Sequence, residues 1–242
     1  MKKILSCMRR TMQQYEMVQS GETIAVGLSG GKDSMLLLHA MALLRRFYPA
    51  KFELMAIHLD MGFESSNTAA LETFCAERNV PLSIIKTQIG KVIFEERKEK
   101  NPCALCARMK RGALHDRMLK LGVHKLAFGH HADDALETLM LCLFYEGRFH
   151  TFQPVTYLDK KEITLIRPMI YVRESEIIYQ SNKLKLPCLE KGCPADGHTK
   201  RTEMKELMRR LTRKIPKADE RILDAMENKD QFALWFNMQD IE

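Results

Sequence analysis

Hydrophobic residues along the chain follow two alternating patterns. Compact apolar runs of strand length recur, and the segments between them carry apolar residues at the three- and four-residue spacing of a helix. The predicted buried strands cover residues 23–28, 52–59, 82–87 and 124–128. The predicted helices around them cover residues 1–20, 34–47, 68–78, 102–121 and 133–145. Strands that alternate with helices predict a mainly parallel, doubly wound α/β sheet.

The pattern changes in the last third of the chain. Two short runs, 155–158 and 163–166, can pair as a hairpin around residues 159–161 or lie as edge strands. Helices are predicted over residues 173–183, 199–214 and 219–236, with a loop over 187–198. We therefore predict three parts, an N-terminal helix (1–22), an α/β domain (23–170) and a C-terminal helical segment (171–242).

The composition is that of a globular protein, with 45% hydrophobic and 29% charged residues. No apolar run approaches the roughly 20 residues that a membrane span needs. The basic N-terminus is not followed by the hydrophobic region of a signal peptide, so we expect a cytoplasmic protein without a membrane anchor. In that compartment, seven cysteines favour metal or sulfur chemistry over disulfides.

The formal net charge is +7, from 38 basic and 31 acidic residues, which favours an anionic partner such as nucleic acid. A solvated basic surface without a partner is the alternative. The basic residues cluster, with eight between residues 199 and 217 and six between 103 and 125. The residues expected to grip RNA are Arg108, Lys110, Arg111, Lys200 and Arg201.

The loop Ser29-Gly30-Gly31-Lys32-Asp33-Ser34 follows the first predicted strand and leads into a helix. Its glycines permit a sharp turn, and its free N–H groups and the helix N-terminus favour an anion. Lys32 adds a positive charge, so the loop suits phosphate. It is not a Walker A loop, because Val26 stands at the first glycine position and Asp33 directly follows the lysine.

A second polar motif, Gly129-His130-His131-Ala132-Asp133-Asp134, follows the fourth predicted strand. The carboxyl ends of parallel strands meet at one edge of the sheet, so this motif and Asp60, which ends the second strand, should lie near the phosphate loop. A helix cap with two polar loop residues is one alternative, and a metal site at the two histidines is another.

Together, SGGKDS and GHHADDALET resemble the two nucleotide motifs of the PP-loop superfamily, the N-type ATP pyrophosphatases. The resemblance implies a Rossmann-type, adenine nucleotide alpha hydrolase-like fold. It also implies that Mg²⁺ and ATP bind, that ATP is cleaved between its α and β phosphates, and that AMP is placed on the substrate. The implied nucleotide-binding residues are Ser29, Gly30, Gly31, Lys32, Asp33, Ser34, Gly129, His130, Asp133 and Asp134. Lys32, Asp33 and Asp60 are implied to act in catalysis.

Two cysteines, Cys103 and Cys106, stand three residues apart at the start of a predicted helix, which places both sulfurs on one face. A third thiol is available from Cys193 or Cys188 in the loop after Pro187. Such thiols suit an iron–sulfur cluster, a disulfide redox pair, or a structural zinc site completed by Cys188 or His198.

The segments CALCARMKRGAL, GHHADDALETLML and LIRPMIYVRE, with the late Cys193, are similar to the tRNA 2-thiocytidine biosynthesis family over residues 23–211. That resemblance implies a 4Fe–4S cluster held by Cys103, Cys106 and Cys193, with one iron open to an exogenous sulfide. It also gives Cys193 a place in catalysis. Cys188 remains a rival third ligand.

The expected function is ATP-dependent tRNA thiolation by a sulfurtransferase. The enzyme would adenylate the C2 oxygen of a cytidine, and sulfur from a cysteine desulfurase or free sulfide would replace it. A homodimer through the apolar residues near 232–235 is possible on this pattern. The alternatives are a lysidine synthetase, a uridine thiolase, or a zinc-stabilised RNA-binding module.

Overall fold

A computed structural model describes residues 1–63, 68–97, 102–189 and 200–228. Its sheet has six strands in the order β3-β2-β1-β4-β6-β5. The strands are β1 Glu22–Gly27, β2 Phe52–Asp60, β3 Leu82–Lys86, β4 Lys125–Ala127, β5 Val155–Leu158 and β6 Ile163–Ile166. All neighbours pair in parallel except β5, which runs antiparallel to β6 at the edge. The predicted doubly wound α/β fold is confirmed.

Helices connect these strands. They are α1 Lys2–Gln14, α2 Lys32–Leu44, α3 Ala69–Ala76, α4 Ile89–Lys91, α5 Pro102–Lys120, α6 Ala132–Leu141, α7 Glu174–Lys183, α8 Lys200–Lys214 and α9 Ala218–Glu227. From β1 the sheet continues to β2 and β3 on one side and to β4 and β6 on the other. The strand order therefore reverses between the neighbouring strands β1 and β4. Ligands of such sheets bind at this switch point, beyond the carboxyl ends of the strands.

The core lies on both faces of the sheet. Ile24 and Val26 of β1 face one apolar cluster, and Ala25 between them faces a second. The first cluster includes most of α2 and the buried face of α1, which contains Met8 and Met12. A helix that is apolar on nearly all sides, as α2 is, belongs in the interior. The start of α2, and therefore the phosphate loop, is anchored by this packing.

Three segments differ from the sequence prediction. Residues 91–97, for which the sequence predicts neither helix nor strand, contain a π-helical turn (Val92–Glu96), and Ile93 there is fully buried. The helix predicted over 133–145 is α-helical only to Leu141 and continues as a π-helical turn (Cys142–Glu146). The wider turn rotates the side chains out of the α-helical stripe, so Phe144 is exposed instead of joining an apolar face. Of the helix predicted over 219–236, the structure describes α9, Ala218–Glu227, which ends before the extended Asn228, and residues 229–236 lie outside the described residues.

The chain divides into two compact units. One, which we call the sheet unit, contains Met1–Ala135 and Phe152–Thr199. The other, the helical unit, contains Leu136–Thr151 and Lys200–Glu242. Among the described residues, no helix combines the length and the apolar character that crossing a membrane requires.

Candidate nucleotide site

The phosphate loop closes on itself through Ser34. The Ser34 hydroxyl accepts the Ser29 N–H at 3.1 Å and donates to the Gly31 carbonyl at 3.0 Å. Gly30 has φ of +85°, a left-handed conformation that glycine adopts without strain. Directly before the loop, the Leu28 carbonyl oxygen lies 2.7 Å from Nδ1 of the buried His58 ring. This contact fixes the point where the chain leaves the sheet. The loop is therefore preformed before any ligand binds.

The second motif packs directly against this loop. A Cβ added at Gly129 would lie 3.0 Å from the backbone carbonyl carbon and oxygen of Asp33 and 3.1 Å from the Ser34 nitrogen. Such contacts are tighter than nearly all real Cβ contacts, so a side chain at this position would require the backbone of the phosphate loop to shift by a few tenths of an ångström. The predicted proximity of the motifs is thus present in the structure, and Gly129 is the point of contact.

We expect Gly129→Ala to destabilise the protein by about 1–3 kcal/mol, the usual cost of overpacking. The added methyl group must displace the start of α2, so nucleotide affinity should fall as well. Urea unfolding and nucleotide titration measure the two effects. Gly112→Ala is the matched control, because Gly112 lies in α5 with open space around its Cα, and alanine there should stabilise by about 0.5–1 kcal/mol. Equal effects of the two substitutions would contradict the steric argument.

His131 lies among the acidic side chains of the site. It is buried, and its Nδ1 accepts the Asp134 N–H at 3.4 Å, so the ring proton lies on Nε2. Nε2 lies 3.8 Å from Asp33 Oδ1 and 3.4 Å from Asp134 Oδ2. The sequence interpretation named His130 instead. The sequence signals for His131 were its place in the second motif, directly before α6, and the alternative metal site at the two histidines.

The His130 ring lies against aromatic side chains and not among the carboxylates. Its ring lies 4.9 Å from the Phe152 ring and 5.6 Å from the Phe128 ring, centroid to centroid. The guanidinium of Arg167, just after β6, lies 5.0 Å from the Phe152 centroid and donates to the Thr156 hydroxyl at 3.0 Å. Burial lowers the pKa of Arg167 to about 10. His130 therefore belongs to an aromatic stack at the edge of the site.

Asp33 is the carboxylate of the phosphate loop whose surroundings best fit a cation. Its Oδ1 is shielded from solvent and makes no hydrogen bond within the described part of the chain. Lys32 Nζ lies 3.0 Å away as an ion-pair partner. A solvent-shielded carboxylate oxygen that is already paired with an ammonium group suits a cation, and an oxygen ligand is what Mg²⁺ prefers. Asp60, at the end of β2, instead accepts the Gly62 N–H at 2.9 Å.

Two residues that the sequence interpretation did not single out link the motifs. Arg173 pairs with Asp133 Oδ1 at 3.0 Å, and the Glu174 N–H donates to Asp133 Oδ2 at 2.7 Å. The Glu174 carboxylate lies 3.1 Å from Lys32 Nζ. Both residues belong to the segment LIRPMIYVRE, which served there only as a family signature. The available signal was their position at the start of the helix predicted over 173–183, after a predicted strand.

The cysteines are described only in part. Cys103 is exposed and Cys106 half-buried at the start of α5, three residues apart as predicted. Cys193 and His198 lie outside the described residues. Cys188 is exposed, and the next residue, Leu189, donates its N–H to the Gly30 carbonyl at 2.9 Å. Burial and the nearby Asp33 raise the pKa of the Cys188 thiol. Within the described ranges, no group of three or more His, Cys, Asp or Glu side chains is arranged to hold a metal ion.

The predicted RNA-binding residues lie on two helices. Arg108 and Arg111 are exposed on α5, and Lys110 is half-buried. On α8, Lys200 pairs with Glu203 at 3.1 Å, and Arg201 donates to the Thr138 hydroxyl at 2.8 Å. These contacts leave the RNA role of all five residues a prediction.

Comparison with known proteins adds the family. A PP-loop domain model matches residues 4–211. The tRNA-cytidine(32) 2-sulfurtransferases of Geobacter sulfurreducens and Syntrophotalea carbinolica are each 36% identical to the chain over 230 residues. These matches cover 94% of this chain and 90% and 89% of the relatives.

Two solved structures share the fold. The U34-tRNA thiolase NcsA from Methanococcus maripaludis with its [4Fe-4S] cluster superposes with a TM-score of 0.75 at 23% identity, over 93% of this chain and 77% of that one. The NH3-dependent NAD synthetase from Campylobacter jejuni superposes with a TM-score of 0.50 at 20% identity, over 93% and 91%.

Proposed function

The chain belongs to the PP-loop family, in the branch of the tRNA 2-thiocytidine biosynthesis proteins, and we propose that it is an ATP-dependent tRNA sulfurtransferase acting on cytidine 32. The observation that carries the proposal is the contact between the SGGKDS loop and the GHHADD motif at the switch point of the sheet. The relatives' name supplies the substrate class, because tRNA-cytidine(32) 2-sulfurtransferases act on that nucleotide by name.

The loop binds the β and γ phosphates of ATP. Its N–H groups, the N-terminus of α2 and Lys32 supply the positive potential that a triphosphate needs. Asp33 Oδ1, shielded and without a hydrogen bond, fits a ligand of Mg²⁺, which would neutralise phosphate charge. Asp133 and Asp134 lie in the first turn of α6, and we assign the ribose and α-phosphate of the nucleotide to this part of the site. His131 and Gly129 hold the two loops together.

The reaction has two displacements. The cytidine C2 oxygen attacks the α-phosphorus, a C–O–P bond forms, and pyrophosphate leaves onto the loop. Sulfide then attacks C2, the C–O bond breaks, and AMP leaves with the oxygen. The protein's part is to align the reacting atoms and stabilise the charge on the leaving phosphates.

A 4Fe–4S cluster would supply that sulfide when bound, and we assign its ligands to Cys103, Cys106 and Cys193. Cys103 and Cys106 lie at the start of α5, one exposed and the other half-buried. This exposure suits ligands of an iron–sulfur cluster better than a buried disulfide. The Methanococcus thiolase, which shares the fold, contains a [4Fe-4S] cluster. A cysteine desulfurase or free sulfide is the proposed sulfur donor.

The partner is tRNA, bound by Arg108, Lys110, Arg111, Lys200 and Arg201. We place the reaction in the cytoplasm, where tRNA is modified, and we retain a homodimer as the proposed assembly. Salt dependence tests the RNA contacts, because each phosphate contact removed should lower the slope of log affinity against log salt by about 0.7–0.9.

The nucleotide products test the first displacement. Full-length protein, incubated with ATP labelled on the α-phosphate and with unmodified tRNA, should release AMP and pyrophosphate in a tRNA-dependent manner. Release of ADP and phosphate would show cleavage between the β and γ phosphates and would rule out adenylation.

A uridine thiolase is a second candidate, favoured by the superposition on the U34-tRNA thiolase. Both enzymes would form AMP, so the nucleotide products do not separate them. The modified base does, because a uridine thiolase leaves 2-thiouridine in tRNA and a cytidine thiolase leaves 2-thiocytidine.

A further inference from the structure

The lysine of the phosphate loop already has two anionic partners. Lys32 Nζ lies 3.0 Å from Asp33 Oδ1 and 3.1 Å from Glu174 Oε1. Burial lowers the pKa of Lys32, but the two carboxylates outweigh burial and leave the pKa raised, so the ammonium is charged. A phosphate that needs this ammonium must compete with both carboxylates.

The position of Glu174 beside Lys32 is fixed by the surrounding structure. Its side chain is only 13% exposed, and its backbone N–H is fixed to Asp133 at 2.7 Å. Arg173 holds the other oxygen of Asp133, and the Ala132 N–H donates to the Val172 carbonyl at 3.0 Å. The second motif therefore determines where the Glu174 carboxylate lies. A carboxylate in the first turn of α7 is also favoured by the helix dipole.

The side chains around the loop carry more negative than positive charge, which disfavours phosphate binding. Lys32 and Arg173 contribute two positive charges, and Asp33, Asp133, Asp134 and Glu174 contribute four negative ones. The three aspartates are the carboxylates that the nucleotide motifs supply, whereas Glu174 comes from outside both. Removing the Glu174 charge alone would leave both motifs intact and would take one competing carboxylate away from Lys32.

We infer that Glu174 is an exchangeable counter-ion of the phosphate loop, which holds Lys32 in place while the loop is empty and gives it up to the pyrophosphate part of ATP. Once pyrophosphate has been displaced, the return of Glu174 to Lys32 lowers the affinity for that product and promotes its release. This rests on the proposed ATP cleavage, and it makes Glu174 a positioning residue for pyrophosphate release.

The inference predicts an unusual direction of change. Glu174→Gln should tighten binding of inorganic pyrophosphate by about 10-fold, because a competing charge close to Lys32 is lost. AMP has no β-phosphate and does not engage Lys32, so its affinity should stay within about twofold. Isothermal titration of the full-length protein with Mg²⁺-pyrophosphate and with AMP measures both.

The matched control is Glu176→Gln. Glu176 lies two residues further along α7, carries the same charge and pairs with Lys3, away from the loop. This substitution should leave pyrophosphate affinity within about twofold. In a Lys32→Met background, Glu174→Gln should give a gain of about twofold at most, because the exchange partner is absent.

Three results would overturn the inference. Weaker pyrophosphate binding by Glu174→Gln would show that the carboxylate assists binding. An equal gain from Glu176→Gln, or an undiminished gain in the Lys32→Met background, would show only a general field effect. Failure of the proposed function looks different, because then the wild-type protein forms no AMP with tRNA, whatever the effect at Glu174.

Discussion

Lys32→Ala should reduce tRNA-dependent AMP formation by at least about 10²-fold, because it removes the one lysine that the loop places at the phosphates. Lys32 begins α2, where the helix N-terminus and the loop N–H groups also favour the anion. Those groups remain in the variant, so residual ATP binding should persist while the charge that develops on the leaving pyrophosphate loses its stabilisation. The loss should therefore appear in the rate of a single turnover more than in the dissociation constant of ATP.

Lys51→Ala is the control for this substitution. Lys51 is exposed and stands directly before β2, at the opposite end of the strands from the loop. The Lys51→Ala substitution removes the same charge from the protein as Lys32→Ala does, and it should leave AMP formation unchanged. Full AMP formation by Lys32→Ala would contradict the adenylation mechanism.

Loss of any one cluster ligand should abolish thiolation and leave adenylation in place. Cys103→Ser, Cys106→Ser and Cys193→Ser should each bind less iron after anaerobic purification and lose sulfur transfer to tRNA. The described contacts of the phosphate loop involve Ser29, Ser34, the second motif and Leu189, and none of them involves Cys103 or Cys106. AMP formation should therefore stay within about threefold of wild type, by the near-independence of sites without shared partners.

Cys188→Ser decides between the two candidate third ligands. Cys188 lies beside the phosphate loop, where the Leu189 N–H bonds to Gly30. Our assignment predicts that this variant keeps its iron and its visible absorption. If Cys188→Ser loses the cluster and Cys193→Ser keeps it, the ligand set is wrong. Zinc in place of iron in the wild-type protein would favour the structural zinc site.

The sequence predicts those parts of the site that are local in the chain. The loop from Ser29 to Ser34 closes through hydrogen bonds between residues at most five apart, so one short segment of the sequence contains the whole motif. The parallel order of the strands made the approach of the Gly129 motif predictable as well. The close approach at Gly129 Cα, which disfavours a side chain at that position, required coordinates.

The links between segments were not predictable in the same way. Glu174 and Asp133 are 41 residues apart, and nothing in either segment identifies the other as its partner. His131 and His130 are adjacent in sequence, yet one is buried among carboxylates and the other stacks on Phe152. Which of them faces the nucleotide depends on the backbone direction at the end of β4. The π-helical turn after Leu141 likewise has no sequence signature that helical periodicity detects.

The base that receives sulfur tests the central claim most directly. Full-length protein, purified anaerobically, is incubated with ATP, Mg²⁺, sulfide and unmodified tRNA, and the nucleosides of the digested tRNA are separated and weighed by mass spectrometry. We predict 2-thiocytidine at position 32, formed only when ATP is present and accompanied by one AMP for each base modified. A tRNA without 2-thiocytidine, or one that carries 2-thiouridine instead, would contradict the account.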